Sequence, residues 1–106
     1  MKIDPARLAG MRVTVMGLGI NGGGVASARF FARRGSAVTV TDLRSERVLA
    51  EAVDQLHGLP VRYVLERHEE ADFRGADLVI KNPAVAVTSP FLKTARDHGV
   101  PIETDL

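Results

Sequence analysis

Hydrophobic residues along this chain form short runs that alternate between strand and helix spacing. Compact apolar runs rich in β-branched residues are typical of buried strands. Such runs predict five β-strands, over residues 13–16, 37–41, 61–65, 77–80 and 100–102. The last run contains Pro101, which lacks a backbone donor and therefore favours an edge of the sheet.

Helical spacing of apolar residues fills the longer intervals between these strands. One helix is predicted over about 22–34, with Gly35 ending it. A second begins at Ser45, a plausible N-cap, and ends before Gly58. A third follows Ser89, where proline occupies the first helical position.

This order of elements predicts the fold class. Strands and helices that alternate through short loops need right-handed crossovers and a parallel sheet. The sequence therefore predicts an α/β, Rossmann-like, doubly wound sheet of about five strands in the order 3-2-1-4-5. Residues 1–106 contain no linker or repeat and are expected to form a single domain.

Composition narrows the functional classes. With 106 residues, 45% hydrophobic and 25% charged, the chain is typical of a folded domain. A net charge of +1 argues against a dedicated nucleic-acid-binding protein. The absence of cysteine excludes disulfides, thiolate zinc sites and iron–sulfur clusters. No apolar run approaches the roughly 20 residues of a membrane span, and no signal peptide is recognisable, so we expect a cytoplasmic protein without a membrane partner.

A glycine-rich loop is the main candidate for ligand binding. Residues 17–22 read G-x-G-x-x-G between a predicted strand and a predicted helix. Gly17 permits a tight turn, Gly19 lets the backbone approach a phosphate, and Gly22 lets the helix pack on the strand. The helix start offers unpaired N–H groups to an anion. We therefore predict a phosphate-bearing ligand, and expect Gly19→Val to block it with little effect on the rest of the fold.

Three consecutive glycines, at 22–24, need a separate explanation. Each glycine inside a helix costs roughly 1 kcal/mol relative to alanine. Two explanations stay open: the glycines allow close packing of the backbone, or they leave room for a diphosphate.

Asp42 lies 20 residues beyond the glycine motif, at the end of the second predicted strand. A carboxylate there accepts from a ribose hydroxyl or a base N–H and disfavours a 2′-phosphate. On this interpretation Asp42→Ala weakens nucleotide binding without unfolding the domain. The alternative is a turn aspartate that caps Arg44 or Ser45.

The remaining motifs give weaker indications of function. Residues 68–72 combine His68 with acidic residues but lack a second histidine at metal-ligand spacing, so we expect a solvated polar loop and no metal. No nucleophile elbow and no G-x-x-x-x-G-K-[ST] phosphate loop occurs. The sequence thus predicts a ligand site without catalytic residues.

Five stretches of the chain, 13–35, 38–44, 75–83, 89–92 and 98–102, together resemble the N-terminal domain of the Mur ligases. The resemblance covers nearly the whole chain. It implies an ATP-dependent ligase of cytoplasmic peptidoglycan synthesis, which joins D-glutamate to UDP-N-acetylmuramoyl-L-alanine through an acyl-phosphate. In that family the first domain holds UDP, a central domain holds ATP and magnesium, and a third domain closes over the site.

The resemblance also implies which residues meet UDP. Ile20 and Asn21 would bind the diphosphate through backbone N–H groups, Asp42, Leu43 and Arg44 would line the uridine, and Asn82, Pro83 and Ala84 would close the uracil pocket.

This sequence departs from the family pattern in two of those positions and in its extent. The family usually has glycine at Ala84, where a positive φ would cost alanine roughly 1 kcal/mol or more, and serine or threonine at Asn21. Its ATP loop lies beyond residue 106, so this chain alone is expected to bind substrate, need no cofactor and turn nothing over. Two alternatives stay open: a stand-alone NAD-binding redox or sensing module, and a domain too open to hold a ligand.

Overall fold

Five parallel strands form the centre of the molecule, for which the computed structural model describes residues 5–19 and 22–105. The strands are β1 (Arg12–Met16), β2 (Ala37–Asp42), β3 (Val61–Leu65), β4 (Leu78–Lys81) and β5 (Ile102–Thr104). Their order is β3-β2-β1-β4-β5, and every neighbouring pair is parallel. The predicted α/β sheet of order 3-2-1-4-5 is therefore confirmed.

Four helices connect the strands: α1 (Gly23–Arg33), α2 (Glu46–Asp54), α3 (Glu70–Arg74) and α4 (Pro90–Asp97). A 3-10 turn, Pro5–Arg7, precedes β1. The predicted capping residues act as expected. The Ser45 hydroxyl accepts from the Val48 N–H at 3.3 Å, and the Ser89 hydroxyl accepts from the Phe91 N–H at 3.3 Å. Gly35 follows α1 in the left-handed region, at φ 87°.

The segment 68–72 is where the predicted elements fail most clearly. Instead of a solvated loop, it leads into α3, whose Phe73 is fully buried. The Thr14 hydroxyl donates to the Asp72 carbonyl at 2.6 Å, and Arg62 pairs with the Asp72 carboxylate at 2.7 Å. A five-residue helix with one apolar anchor shows no periodicity, so the sequence pattern misses it.

The edge strand β5 lies where proline predicted an edge, but two residues later in the chain. Val100 packs its side chain against α4, and the Pro101 carbonyl accepts from the Val79 N–H at 2.9 Å. Regular pairing with β4 begins only at Ile102, after the residue that has no N–H to give.

Side chains alternate between the two faces of the sheet, and each face has its own core. Val13, Val15 and Ile80 face α1 and α2, where Phe31 is the largest buried side chain. Met16 and Val79 face the opposite side, packed with residues of α3 and α4. Both faces are covered, which leaves the carboxyl edge of the strands as the accessible end of the sheet. None of the helices in the described part of the chain has the length and apolar character that crossing a bilayer requires.

Candidate functional site

A cleft of about 690 Å³ opens at the carboxyl edge of the sheet, where β1 lies between β2 and β4. This is the point at which the strand order reverses, and ligands of doubly wound folds bind there. The predicted site residues that line it are Gly17, Gly19, Asp42, Leu43, Arg44, Asn82, Pro83 and Ala84. Gly22 does not line it, and Ile20 and Asn21 lie outside the described residues.

The start of the glycine loop is bound to β2 by backbone hydrogen bonds. The Gly17 N–H donates to the Thr41 carbonyl at 2.8 Å, and the Leu18 N–H donates to the Asp42 carboxylate at 3.0 Å. Gly17 and Gly19 have φ values of 88° and 72°, which side-chain-bearing residues rarely adopt. Gly17 and Leu18, the first two residues of the loop, are therefore held against the end of β2 without a ligand.

Close packing of helix on loop comes from Gly24 and not, as the motif predicts, from Gly22. A Cβ at Gly24 would lie 2.6 Å from the Leu18 Cα, whereas a Cβ at Gly22 would meet nothing within 4 Å. Gly22 instead supplies a left-handed turn, at φ 82°, immediately before α1. The helix begins one residue later than the spacing of the motif predicts, so the packing position shifts as well.

Gly19 also faces a different neighbour from the one expected. A Cβ there would collide with the side-chain amide of Asn82, and the backbone is left-handed. Gly19→Val would consequently strain the loop itself, in addition to the block to a phosphate that the sequence predicts; its small effect on the rest of the fold stays a prediction.

Asp42 uses its carboxylate within the protein. One oxygen accepts from the Leu18 N–H and from an Arg44 Nη at 2.9 Å; the other accepts from the Arg44 backbone N–H at 2.9 Å and its Nε at 3.0 Å. Burial alone would raise the pKa of Asp42, but these hydrogen bonds outweigh it and hold the pKa below its ordinary value. In this state Asp42 is the turn residue that caps Arg44, the alternative that the sequence left open.

The turn after β4 closes the opposite wall of the cleft. The Asn82 side-chain oxygen accepts from the Ala84 N–H at 2.9 Å, and the Lys81 Nζ donates to the Val85 carbonyl at 3.0 Å. Ala84 is not in the left-handed region, since Glu66 is the one non-glycine residue with positive φ among those described. The strain expected from alanine in place of the family glycine is therefore absent from this turn.

Sequence inspection missed a third wall, formed by the residues after β3. The Glu66 N–H donates to the Arg44 carbonyl at 3.1 Å, and Arg67 forms an isolated bridge with Asp42. His68 follows and lines the cleft. The pattern showed only a polar stretch here; the sole available signal was a histidine close behind a strand end.

Asp105 is the other residue that the sequence did not single out. It follows β5, lines the cleft and is 7% exposed, yet neither carboxylate oxygen has a hydrogen-bond partner among the described residues. Burial raises its pKa, and the charge of Lys81 opposes the rise only in part. A Cβ at Gly23 would lie 3.1 Å from this carboxylate, so Gly23 leaves it space at the start of α1.

Metal ligands are sparse. Within residues 5–19 and 22–105, no three His, Cys, Asp or Glu side chains cluster as a metal site requires. The arrangement instead offers backbone N–H groups, one guanidinium and one histidine to a ligand.

Comparison with known proteins identifies relatives. Residues 11–104 match the family model of the Mur ligase MurD-like, N-terminal domain. The chain is 50% identical over 100 residues to the UDP-N-acetylmuramoylalanine–D-glutamate ligase of Roseiflexus sp. (strain RS-1), covering 94% of this chain and 22% of that protein. The enzyme of the same name from Geobacter metallireducens is 50% identical over 99 residues, covering 93% of this chain and 22% of that protein. The chain thus spans about a fifth of the length of these relatives.

Solved structures add agreement on the fold alone. Shikimate dehydrogenase from Aquifex aeolicus superimposes with a TM-score of 0.63 at 13% identity, over 95% of this chain and 44% of that one. A pseudomurein peptide ligase type C from Methanothermus fervidus superimposes with a TM-score of 0.58 at 17% identity, over 88% of this chain and 19% of that one.

Proposed function

The chain belongs to the family of MurD-like N-terminal domains of Mur ligases, and we propose that its cleft binds the uridine diphosphate part of UDP-N-acetylmuramoyl-L-alanine. The proposal rests on the names of the relatives and on the chemistry of the cleft. A single nucleotide with a diphosphate suits a sheet that provides one mononucleotide-binding half and an extension, whereas a dinucleotide normally spans two halves.

The observation that carries this proposal is the start of α1. Among the described residues, the N–H groups of Gly19 and Gly23 have no hydrogen-bond partner, and both glycines line the cleft. No acidic residue lies in the first turn of α1. Unpaired N–H groups and the positive end of the helix dipole favour a diphosphate at this place.

Leu43 and Arg44 supply the surface for the nucleoside. Leu43 is an exposed apolar side chain on the rim of the cleft. The Arg44 guanidinium is held flat against Asp42 by two side-chain hydrogen bonds. A planar, oriented guanidinium is suited to stacking on a base and to donating to its carbonyl oxygens.

The NAD-binding alternative is weaker on the same geometry. It requires Asp42 to accept from a ribose hydroxyl, but both carboxylate oxygens already accept from Leu18 and Arg44. Breaking two charge-assisted hydrogen bonds would offset much of what the ribose contact contributes.

For the whole protein we propose the activity of the relatives, an ATP-dependent ligase that adds D-glutamate during peptidoglycan synthesis in the cytoplasm. ATP and magnesium would then be held by parts of the relatives that this chain does not span. The contribution of the described residues is to bind and orient the nucleotide end of the substrate, and the chain alone is expected to be inactive in ligation.

The test is a titration of ¹⁵N-labelled chain with UDP and, in parallel, with NAD⁺. We expect UDP to shift the amide resonances of residues 17–24, 42–44 and 82–85 and NAD⁺ to leave them nearly unchanged. Preferential binding of NAD⁺ would replace the proposal with the redox or sensing alternative. Silence with both nucleotides would contradict binding by this chain.

A charge placed at the rim sharpens that test. Leu43→Asp sets a carboxylate on the nucleoside wall of the cleft, and a like charge about 8 Å from the diphosphate costs about 0.5 kcal/mol in water, or about twofold in Kd. Leu43→Asn is the matched control, because its side chain has the shape of the Leu43→Asp side chain and no charge. It should bind UDP more tightly than Leu43→Asp does. Equal affinities for the two variants would place the nucleotide away from this wall of the cleft.

A further inference from the structure

The imidazole of His68 is held rigidly in the wall of the cleft that sequence inspection missed. Its ring packs edge-on against Phe73 and Phe91, with centroids 5.9 Å and 5.2 Å away. Its Nδ1 lies 2.6 Å from the hydroxyl of Thr41, a fully buried residue of β2. Two aromatic rings and one short hydrogen bond leave the imidazole little freedom to turn.

The Thr41 hydroxyl determines which ring nitrogen carries the proton. That hydroxyl also lies 3.1 Å from the Arg67 carbonyl, which accepts hydrogen bonds and never donates them. A hydroxyl has one proton, so both contacts are satisfied when Thr41 donates to Arg67 and accepts from His68. His68 is thereby assigned as the Nδ1–H tautomer, and Nε2 carries a lone pair with no partner among the described residues.

We propose that Nε2 of His68 accepts a hydrogen bond from the ring N–H of a uracil base and so selects uracil over cytosine in the nucleotide that binds this cleft. The proposal rests on the proposed function and adds to it the residue that reads the base. With Nδ1 turned inward to Thr41, Nε2 is the polar ring atom left for the cleft that His68 lines.

The chemistry of the two pyrimidines makes this contact selective. Uracil carries N3–H between two carbonyl groups, whereas N3 of cytosine carries a lone pair beside an amine. A bare Nε2 attracts the first and repels the second. Arg44 complements it, because Asp42 uses its Nε and one Nη, and the other Nη, which has no hydrogen-bond partner among the described residues, can donate to a carbonyl beside N3.

The principal experiment compares ligands on the unaltered protein. Kd values are measured by calorimetry for UDP, CDP and N3-methyl-UDP, which differs from UDP only in the ring N–H. We expect UDP to bind about tenfold more tightly than either of the others, the effect of one ordinary hydrogen bond. Equal binding of UDP and N3-methyl-UDP would overturn the role of His68 while leaving the proposed function intact. Absence of UDP binding would overturn the proposed function itself.

A variant pair places the selectivity on the residue. His68→Phe keeps a ring between Phe73 and Phe91 but removes the acceptor, so UDP affinity should fall about tenfold, while CDP affinity should rise because the repulsion of its N3 is lost. His68→Gln retains an acceptor oxygen and should recover part of the preference. A tenfold preference for UDP that persists in His68→Phe contradicts the proposal.

A measurement on the free protein tests the tautomer independently of nucleotide. Long-range ¹⁵N spectra of the His68 ring should show a protonated Nδ1 and a bare Nε2, and the Nε2 resonance should move upfield when UDP donates to it. A protonated Nε2 in the free protein at neutral pH would overturn the assignment, whatever the outcome for binding.

Discussion

Two aspartates border the same cleft and differ in almost everything except burial. Asp42 is the last residue of β2 and Asp105 follows β5; they are 4% and 7% exposed. The Asp42 carboxylate accepts from two backbone N–H groups and from the Arg44 side chain. The Asp105 carboxylate accepts from nothing among the described residues, although its own N–H donates to the Lys81 carbonyl at 3.0 Å.

Their pKa values consequently move in opposite directions. Burial pushes both upwards, because a buried carboxylate loses its water. At Asp42 the hydrogen bonds from Arg44 and Leu18 outweigh burial, and the pKa falls. At Asp105 burial outweighs the charge of Lys81, and the pKa rises.

The difference teaches that burial at a ligand cleft does not by itself define a binding residue. The sequence predicted that Asp42 binds the nucleotide, but in the structure its carboxylate joins the glycine loop to the Arg44 turn through hydrogen bonds. Asp105 is the acid that the sequence passed over, and it is the one whose carboxylate is unpaired in the cleft.

The largest effect that tests this comparison is expected from Asp42→Ala. Removal of the carboxylate leaves the Leu18 and Arg44 N–H groups without an acceptor, which should lower the free energy of unfolding by about 2–3 kcal/mol. The sequence alone predicted weaker nucleotide binding without unfolding of the domain; the structure adds a loss of stability. Urea denaturation measures it, with Asp97→Ala, an exposed member of a surface pair, as the control at under about 0.5 kcal/mol. An unchanged urea midpoint for Asp42→Ala would show that the Asp42 carboxylate does not stabilise the glycine loop.

Asp105→Asn is expected to change the free energy of unfolding in the opposite direction. This change removes a buried, unpaired charge while keeping the size of the side chain, and should raise the free energy of unfolding by about 1 kcal/mol at pH 7. It also removes a negative charge beside the start of α1, so UDP should bind more tightly. Calorimetric titration and urea denaturation of the same sample check both, and a destabilised Asp105→Asn protein would show that the carboxylate has a partner after all.

The pH dependence separates the two residues by sign. Asp42 has a lowered pKa, so its stabilising effect is present above the unfolded value near 3.8 and disappears as pH falls through the folded pKa. Asp105 has a raised pKa, so its destabilising effect appears as pH rises from about 3.8 through its folded pKa. Urea midpoints from pH 3 to pH 7 should therefore show that the gain from Asp105→Asn vanishes in acid. A gain that is constant with pH would exclude the charge as its cause.

The smallest effect is expected from Gly23→Ala, which changes the space around Asp105. Alanine favours the helix by up to about 1 kcal/mol, but its Cβ would lie 3.1 Å from the Asp105 carboxylate. We expect a net change below about 0.5 kcal/mol, and the full gain only when Gly23→Ala is combined with Asp105→Ala. A double-mutant cycle measures the coupling; strict additivity would show that the two residues do not press on each other.

Particular elements show how much of the fold could be predicted from the sequence. Ser45, Ser89 and Gly35 marked helix ends correctly because capping depends on neighbours within a few residues. The short helix α3 escaped because Phe73, its one buried anchor, is held by the opposite core and not by local spacing.

The glycine motif shows the same division within a single loop. Its place between β1 and α1 followed from the pattern, but the packing glycine proved to be Gly24, and the neighbour of Gly19 proved to be Asn82 from another turn. A contact between residues more than sixty positions apart leaves no mark on local spacing.

By itself the sequence determined the five strands, three of the four described helices, the parallel order 3-2-1-4-5 and the sheet edge at which the cleft opens, because hydrophobic periodicity, capping residues and the handedness of crossovers are local or topological rules. Only the tertiary structure decided what each polar group in the cleft does. Asp42 joins the glycine loop to the Arg44 turn because Leu18, 24 residues away in the chain, comes within hydrogen-bond distance of its carboxylate. The Asp105 carboxylate meets no such partner among the described residues, and the Thr41 hydroxyl of β2 sets the tautomer of His68.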